Sequence, residues 1–437
     1  MSEAQQINEP TQGRPWLLNM AMKGMQAGQY VFNHWDRWVN KSVIQIPMDF
    51  QDPYTDWAEL QRRGSVLRSV TNRGWMVFGY DEVKELARDP RLGNNVGDNK
   101  FIRRFMQAVS GKDEVVFFDY PSLQQVNPPD HTRLRKLLTP GFVVRYIESL
   151  EPMIVELCEE MINALPEDKP FDLVADFAKP LPARVIAHML GVPQQDYPLF
   201  EKLSSELLGI VELESGERVL NGLQAFEGLR DYMIERVAQM QRNPGDDFIS
   251  LLIAAEEEGD KLTADELYSA SILLLVAGHE TTTRLITSAV AALLDEPEQL
   301  AEVRASDDLL QRALEESLRL QAPVLFLPRI VLEDFDYQGK RFKKGQFALL
   351  SLASANRDPK VFTDPDRFDL HRQNLNHVSF GHGIHLCLGI TLARLEARVA
   401  VRTLLNKFNS LQQVDHAQWQ RSPMFRGLET LMLQGGG

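Results

Sequence analysis

The stretch Phe380 to Gly389, FGHGIHLCLG, sets one of only two cysteines in the chain among glycines and histidines. A sulfur so placed admits five chemistries: a buried structural thiol, half of a disulfide, a nucleophile, a zinc ligand or an iron ligand. Gly381, Gly383 and Gly389 permit backbone geometries and close approaches that other residues resist, and helical periodicity resumes at Leu388. Cys387 therefore stands where a loop hands over to a helix. Amide donors and the positive end of the helix dipole there favour thiolate over thiol, which makes the sulfur a good donor atom. His385 could act as base to a nucleophile. His371, His377, His382 and His385 crowd the same segment, and imidazole with thiolate is good zinc chemistry, although the spacing matches no regular zinc finger. Local chemistry alone leaves zinc and iron open.

A second stretch, Ala277 to Thr283 (AGHETTT), puts an acid and three alcohols inside an apolar helical run. Gly278 weakens a helix by about 1 kcal/mol relative to alanine, and the threonine hydroxyls compete for backbone carbonyls. A distortion is expected there. Glu280 could then relay protons and Thr281 hold a water, beside a gap at Ala277 and Gly278; a helix-packing seam with a satisfied buried acid explains the same letters. In LEESLRL, Glu316 and Arg319 lie three apart and share a helix face. Leu314, Leu318 and Leu320 around them make burial of the pair plausible, and a buried pair needs further hydrogen bonds to offset desolvation.

These residues need elements to position them. Residues 65–79 read as a β-hairpin turning at Asn72 to Gly74, followed by a helix from Asp81 that stops before Pro90. From about 130 to 320 apolar residues recur at helical spacing, interrupted at LPEDKP, GVPQQDYP, NPGDD and EEEGDK. The acidic run Glu256 to Glu258 reads as a solvated helix end. Tyr268 to Leu294 is long enough to span a bilayer, but His279, Glu280 and Arg284 near its centre favour a buried central helix. After Arg319 the texture turns to β, with apolar residues alternating around Gly339 and Gly345 as a hairpin would. A proline-punctuated loop (ANRDPKVFTDPDRF) precedes the cysteine stretch, and helix returns from Leu388 to Phe408.

The 437 residues, 44% hydrophobic and 25% charged, suit a globular protein with a large core, and no linker divides it. A net charge of −14 argues against a nucleic-acid surface. Two distant cysteines, Cys158 and Cys387, fit a reducing compartment and are too few for an iron–sulfur cluster; Cys158 on an apolar helical stripe reads as a small buried hydrophobe. No secretory signal opens the chain, so cytoplasm is expected. Residues 1–47 read as an N-terminal arm rich in large apolar residues, expected to pack on the domain ahead of lying on a membrane, and residues 48–437 as one domain.

Phe380, Gly381, His385, Cys387 and Gly389 fall where the haem-binding loop of the cytochrome P450 monooxygenases has phenylalanine, glycine, a basic residue, cysteine and glycine, and the loop resembles it closely. AGHETT is similar to that family's oxygen-activation groove, Glu316 with Arg319 to its helical charge pair, the proline loop to its meander, and HTRLRKL (131–137) to the helix whose His and Arg meet the haem carboxylates. The resemblance spans roughly residues 50–433 and implies a mainly α fold with small β-sheets. It implies haem b (iron protoporphyrin IX), with Cys387 as the axial iron ligand and His131, Arg135, Arg329 and His385 pairing with the two propionates. Phe380, Gly389 and Ala277 would also border the cofactor, and Glu316 with Arg319 would hold the meander.

The resemblance further implies insertion of one atom of O2 into a small apolar substrate, by hydroxylation or oxidative demethylation. Thr281 and Glu280 match the family's alcohol and acid, and Leu274, Val324, Leu325 and Phe326, with the loops around Val115–Phe118 and Leu207–Val211, would line the substrate pocket. Electrons would come from NAD(P)H through a ferredoxin or flavodoxin with its reductase. Arg394, Arg398 and Arg402, spaced by four, could form a docking stripe or simply a solvated helix face. A haem-thiolate sensor that never activates oxygen is the alternative.

Overall fold

Strand β1 (Val43–Ile44) lies parallel to β2 (Val66–Ser69), so the last part of the segment read as an arm belongs to a sheet. The computed structural model describes residues 53–436 except 70–73, 100–102, 105, 109–121, 213–215, 246, 256–258, 421 and 423, together with 20 and 43–44. Apart from Met20, the remainder of the arm lies outside the described residues, as does the acidic run Glu256–Glu258. Helix α1 (Pro53–Arg63) buries Tyr54, Trp57 and Leu60. The expected hairpin forms as β2 and β3 (Gly74–Val77), antiparallel from Val66–Val77 to Ser69–Gly74, and α2 (Tyr80–Arg88) stops before Pro90, which bars the preceding residue from helical backbone. β4 (Leu92–Gly93) follows.

The helical centre comprises α3 (Asp130–Leu138), α4 (Glu151–Asn163), α5 (Pro180–Met189), α6 (Tyr197–Glu212), α7 (Gly216–Arg242), α8 (Ala264–Leu294) and α9 (Asp307–Leu320). The short strand β5 (Phe171–Asp172) interrupts a region that periodicity assigned to helix alone. Two residues are too few to carry a strand period, and what makes them a strand is pairing with the far end of the chain. Thr263 and Glu266 start α8 with a reciprocal capping box. The distortion expected near Gly278 is absent: α8 is continuously α-helical over 31 residues. The threonines do bond back, Thr281 Oγ1 to Ala277 O at 2.6 Å and Thr283 Oγ1 to His279 O at 3.0 Å, yet packing against α5, α7 and α9 keeps the ladder intact. Among the described residues no helix is long and apolar enough to cross a membrane.

Of strands β6 (Phe326–Val331), β7 (Phe335–Tyr337), β8 (Lys340–Phe342) and β9 (Phe347–Ser351), β7 and β8 form a hairpin at Gly339, whereas Gly345 leads into β9, which pairs with β6 and β3 and not with β8; the main sheet runs β1-β2-β3-β9-β6-β4. Helix α10 (Ile390–Lys407) is followed by β10 (Ser410–Gln413), β11 (Gln418–Trp419), β12 (Leu428–Thr430) and β13 (Met432–Gly436), which form small sheets, β13 pairing with both β10 and β5. The fold is mainly α with small β-sheets. Its largest core lies among the helices and takes in Cys158, fully buried, whose thiol burial pushes far up. A separate core joins α1 to the main sheet and contains Leu325 and Phe326, each 2% exposed, with Phe326 edge-on to Trp57 at 5.2 Å.

Candidate active site

The cysteine loop is shaped by two left-handed glycines, Gly381 (φ 76°) and Gly383 (φ 79°). At Gly383 a Cβ would lie 2.9 Å from Ala87 O, so the loop also seats directly on α2. Gly389 is different: its φ is −87° and no protein atom lies within 4 Å of where its Cβ would be, so neither strain nor crowding by the chain demands glycine there. Cys387 N donates to Phe380 O at 2.9 Å, closing the loop. Cys387 keeps accessible surface although protein atoms surround it densely, the geometry of a group at the floor of a cleft. That burial is the largest influence on the thiol and raises its pKa, while the Gly389 N–H, Arg135 and Arg394 pull the other way. The donors expected to favour thiolate are present, but they do not outweigh desolvation, so an ionised sulfur here calls for a cationic partner.

The neighbouring histidines do not converge as zinc ligands. His371 Nε2 meets Glu302 at 3.0 Å, His377 Nε2 meets Glu315 at 3.2 Å, and burial first, then Arg88 and Lys84, holds His382 low. Among the described residues no three His, Cys, Asp or Glu side chains gather to hold a metal ion.

His385 turns toward three other basic residues. Its ring stands 4.1 Å from that of His131 on α3, and burial, then His131, Arg329 and Arg135, depress its pKa to about 3. Burial likewise brings Arg329 on β6 down to about 10, and lowers Arg135 and His131. His131 Nε2 and Arg329 Nη2 are buried without a hydrogen-bond partner in the chain, a condition that folded proteins rarely leave. Among the described residues no carboxylate shifts any of these four, so the cluster is built to receive negative charge from a bound group. The four residues that the resemblance assigned to the propionates are thus brought together.

On α8, Ala277 is exposed, Thr281 half-buried and Leu274 9% exposed. Gly278 does not open a gap: a Cβ there would meet Ile186 Cδ1 at 2.6 Å, so this glycine is the seam that lets α5 pack on α8. Glu280 is buried at 3% exposure with Arg284 Nη2 3.6 Å away. Burial pushes its pKa up, but Arg284, His279, Lys179 and Arg218 together hold it below the ordinary carboxylate value. Val324 is half-buried and bridges to Phe425. Leu325 and Phe326 do not line an open surface, because they fill the core beneath α1. Leu207, Leu208 and Ile210 also pack inward, from a helix rather than the loop expected, and Val115–Phe118 lie outside the described residues.

Glu316 and Arg319 are completely buried and bidentate, at 2.7 and 2.8 Å. Arg319 reaches on to the carbonyls of Asn356, Pro365 and Arg367 at 2.9, 2.7 and 3.1 Å, which ties α9 to the proline loop. Arg372 Nε joins Glu316 at 2.9 Å, a third member that no local pattern reveals because it lies 56 residues away. Arg394, Arg398 and Arg402 do not form a free basic stripe: they pair with Glu315 (2.7 Å), Glu151 (2.7 Å) and Asp307 (2.8 Å).

A sulfur at a cleft floor beside a buried basic cluster with no acid among its described neighbours suits one common prosthetic group, a haem, whose iron would take the thiolate and whose propionates would take the basic side chains; the class is that of the haem-thiolate enzymes. Comparison with known proteins agrees. The family model described as Cytochrome P450 matches residues 95–428. The chain is 36% identical over 390 residues to the biotin biosynthesis cytochrome P450 of Bacillus subtilis (strain 168), covering 87% of this chain and 95% of the relative. It is 35% identical over 395 residues to the 6-deoxyerythronolide B hydroxylase of Saccharopolyspora erythraea, covering 88% and 96%. The solved structure of P450BioI in complex with a hexadec-9Z-enoic acid ligated acyl carrier protein superposes with a TM-score of 0.80 at 34% identity, over 88% of this chain and 99% of that one. The chain belongs to the cytochrome P450 family of monooxygenases.

Proposed function

We propose that this chain hydroxylates an apolar organic substrate with dioxygen, drawing electrons from NAD(P)H through a separate ferredoxin or flavodoxin and its reductase. Cys387 would hold the haem iron and His131, Arg135, Arg329 and His385 its propionates; so held, the haem would supply the activation of O2 that lets one atom enter the substrate and the other leave as water, with two electrons and two protons supplied from outside. The rest of the work falls to the protein. The face of α8 that carries Ala270, Leu273, Leu274 and Ala277 offers a substrate hydrocarbon surface, Val324 borders it from the β side, and Phe380 limits water near the sulfur. Thr281 Oγ1, parked on Ala277 O, can rotate to hold a water or donate to a bound ligand, and Glu280 beside it holds a proton-accepting charge. Glu316 and Arg319 fix the meander and through it the cysteine loop. Two cysteines are too few for an iron–sulfur cluster, which supports electrons arriving from a separate protein; the internally paired Arg394, Arg398 and Arg402 do not mark where it docks.

The observation that carries this reading is the acid-free basic cluster next to Cys387. Its first test is the carbon monoxide difference spectrum of the reduced protein, where absence of a thiolate-type Soret band would refute it. The second is turnover with a surrogate ferredoxin and reductase: Thr281→Ala should consume reductant while product per electron drops several-fold, and unchanged coupling would remove Thr281 from proton delivery.

A further inference from the structure

Arg284 sits one helical turn beyond Glu280 on α8 and is 1% exposed. Its guanidinium is shared between two distant parts of the chain. On one side Nη2 faces Glu280 Oε2 at 3.6 Å. On the other, Nε and Nη2 donate to Gln420 Oε1 at 3.2 and 2.7 Å, and the guanidinium carbon stands 4.6 Å above the ring of Phe425. Gly427 is bare for the same reason: a Cβ there would lie 2.3 Å from Arg284 Cγ. The segment that grips Arg284 also runs beside the substrate side, since Phe425 bridges to Val324, Leu325 N donates to Met424 O at 2.8 Å and Arg426 N donates to Pro323 O at 2.9 Å.

We infer that Arg284 is a positioning residue for proton delivery: clamped by Gln420, Phe425 and Gly427, it anchors the Glu280 carboxylate and ties the acid of α8 to the C-terminal segment that borders the substrate. The inference rests on the proposed role of Glu280 and adds what controls it. A carboxylate this deeply buried would otherwise take up a proton to escape desolvation. The groups facing it are Arg284 and His279 on α8, Lys179 before α5 and Arg218 on α7, and Arg284 is the strongest of the four. His279 does not substitute for it. Burial, the largest influence on it, lowers its own pKa, and its two ring nitrogens are already engaged, Nε2 with Lys179 O at 2.8 Å and Nδ1 with Ser204 Oγ at 2.6 Å.

The test uses the haem-loaded enzyme and reads the protonated-carboxyl infrared band of Glu280, assigned by its loss in Glu280→Gln. In Arg284→Gln the midpoint of that band should move up by at least about one pH unit, a tenfold change in proton affinity. Arg284→Lys should restore most of the shift, and Gln420→Ala, which loosens Arg284 from the C-terminal side, should move it part of the way. Product formed per NAD(P)H should follow the same midpoint in each variant. An unmoved band in both Arg284→Gln and Gln420→Ala overturns the inference. If Arg284→Gln fails to take up haem, Gln420→Ala and Arg284→Lys decide alone, since both keep or replace the charge. Glu280→Gln separates the two readings: if it leaves coupling intact, Glu280 delivers no proton, whereas a coupling defect in Glu280→Gln with no response to Arg284 or Gln420 variants refutes the anchor only.

Discussion

Replacing Arg329 with methionine should stabilise the haem-free chain and weaken the grip on haem, two effects of opposite sign from one side chain. Burial lowers the Arg329 pKa from 12.5 to about 10. A base whose folded pKa lies below its unfolded one carries a penalty that is fully present below the folded value and fades as pH rises through it, so at pH 7 all of it applies. Roughly 2.5 units at about 1.4 kcal/mol each is on the order of 3 kcal/mol. Methionine has similar reach and no charge, so it removes that penalty, while giving up the bond from Nη1 to Pro328 O at 2.9 Å, worth about 1 kcal/mol. The haem-free variant should therefore gain about 2 kcal/mol in urea unfolding followed by far-UV circular dichroism. With haem bound the balance reverses, because a charge-assisted hydrogen bond worth about 1.5–3 kcal/mol disappears. Transfer of haem to an excess of acceptor protein should then run on the order of 10- to 100-fold faster. A lower urea midpoint in the haem-free variant, or unchanged haem transfer, would refute the view that the cluster is held ready for an anion at the expense of the empty fold.

Arg319→Ala strips α9 of its bonds to Glu316 and to three meander carbonyls and should cost about 3–5 kcal/mol; urea unfolding of the loaded enzyme checks it, and a loss under about 1 kcal/mol would mean the pair is ornamental. Glu315, bonded to His377 and Arg394, is depressed from 4.5 to about 2, so it contributes stability above pH 4.5 that is lost as pH falls toward 2. Glu315→Gln should accordingly cost up to roughly 3 kcal/mol at pH 7 and almost nothing near pH 2, a convergence visible in unfolding curves at the two pH values. Gly383→Ala forces a positive φ on alanine and a contact with Ala87 O, and should destabilise by about 1–3 kcal/mol, with haem loss accelerated because the strain enters at the cysteine loop.

Much of this site was legible because its parts are local. The cysteine loop, the acid and alcohol of α8, and Glu316 with Arg319 each sit within a few residues, where glycine placement and helical spacing speak directly. Convergence was not. Arg372 reaches Glu316 across 56 residues and Arg284 reaches Gln420 across 136, and neither separation leaves a periodic trace, although Arg284 four places after Glu280 was a usable hint. The mistaken expectations share a cause. Leu325 and Phe326 are apolar, which does not distinguish a pocket wall from a core, and only the arrival of Trp57 decides it. Arg394, Arg398 and Arg402 do share a face, but the acids that meet them come from other segments. Gly278 looked like helix-breaking chemistry and proved to be room for Ile186.

The clamp between α9 and the meander takes hold of main-chain oxygens: Arg319 donates to Asn356, Pro365 and Arg367, and Arg372 to Thr363, Asp364 and Arg367. Such a grip is indifferent to which side chains the held segment carries, and so leaves its sequence free to drift. It is intolerant of a change in length. One residue inserted or deleted between Asn356 and Arg367 would slide the downstream oxygens by about 3.5 Å, a full register step, and the error would pass straight to the sulfur.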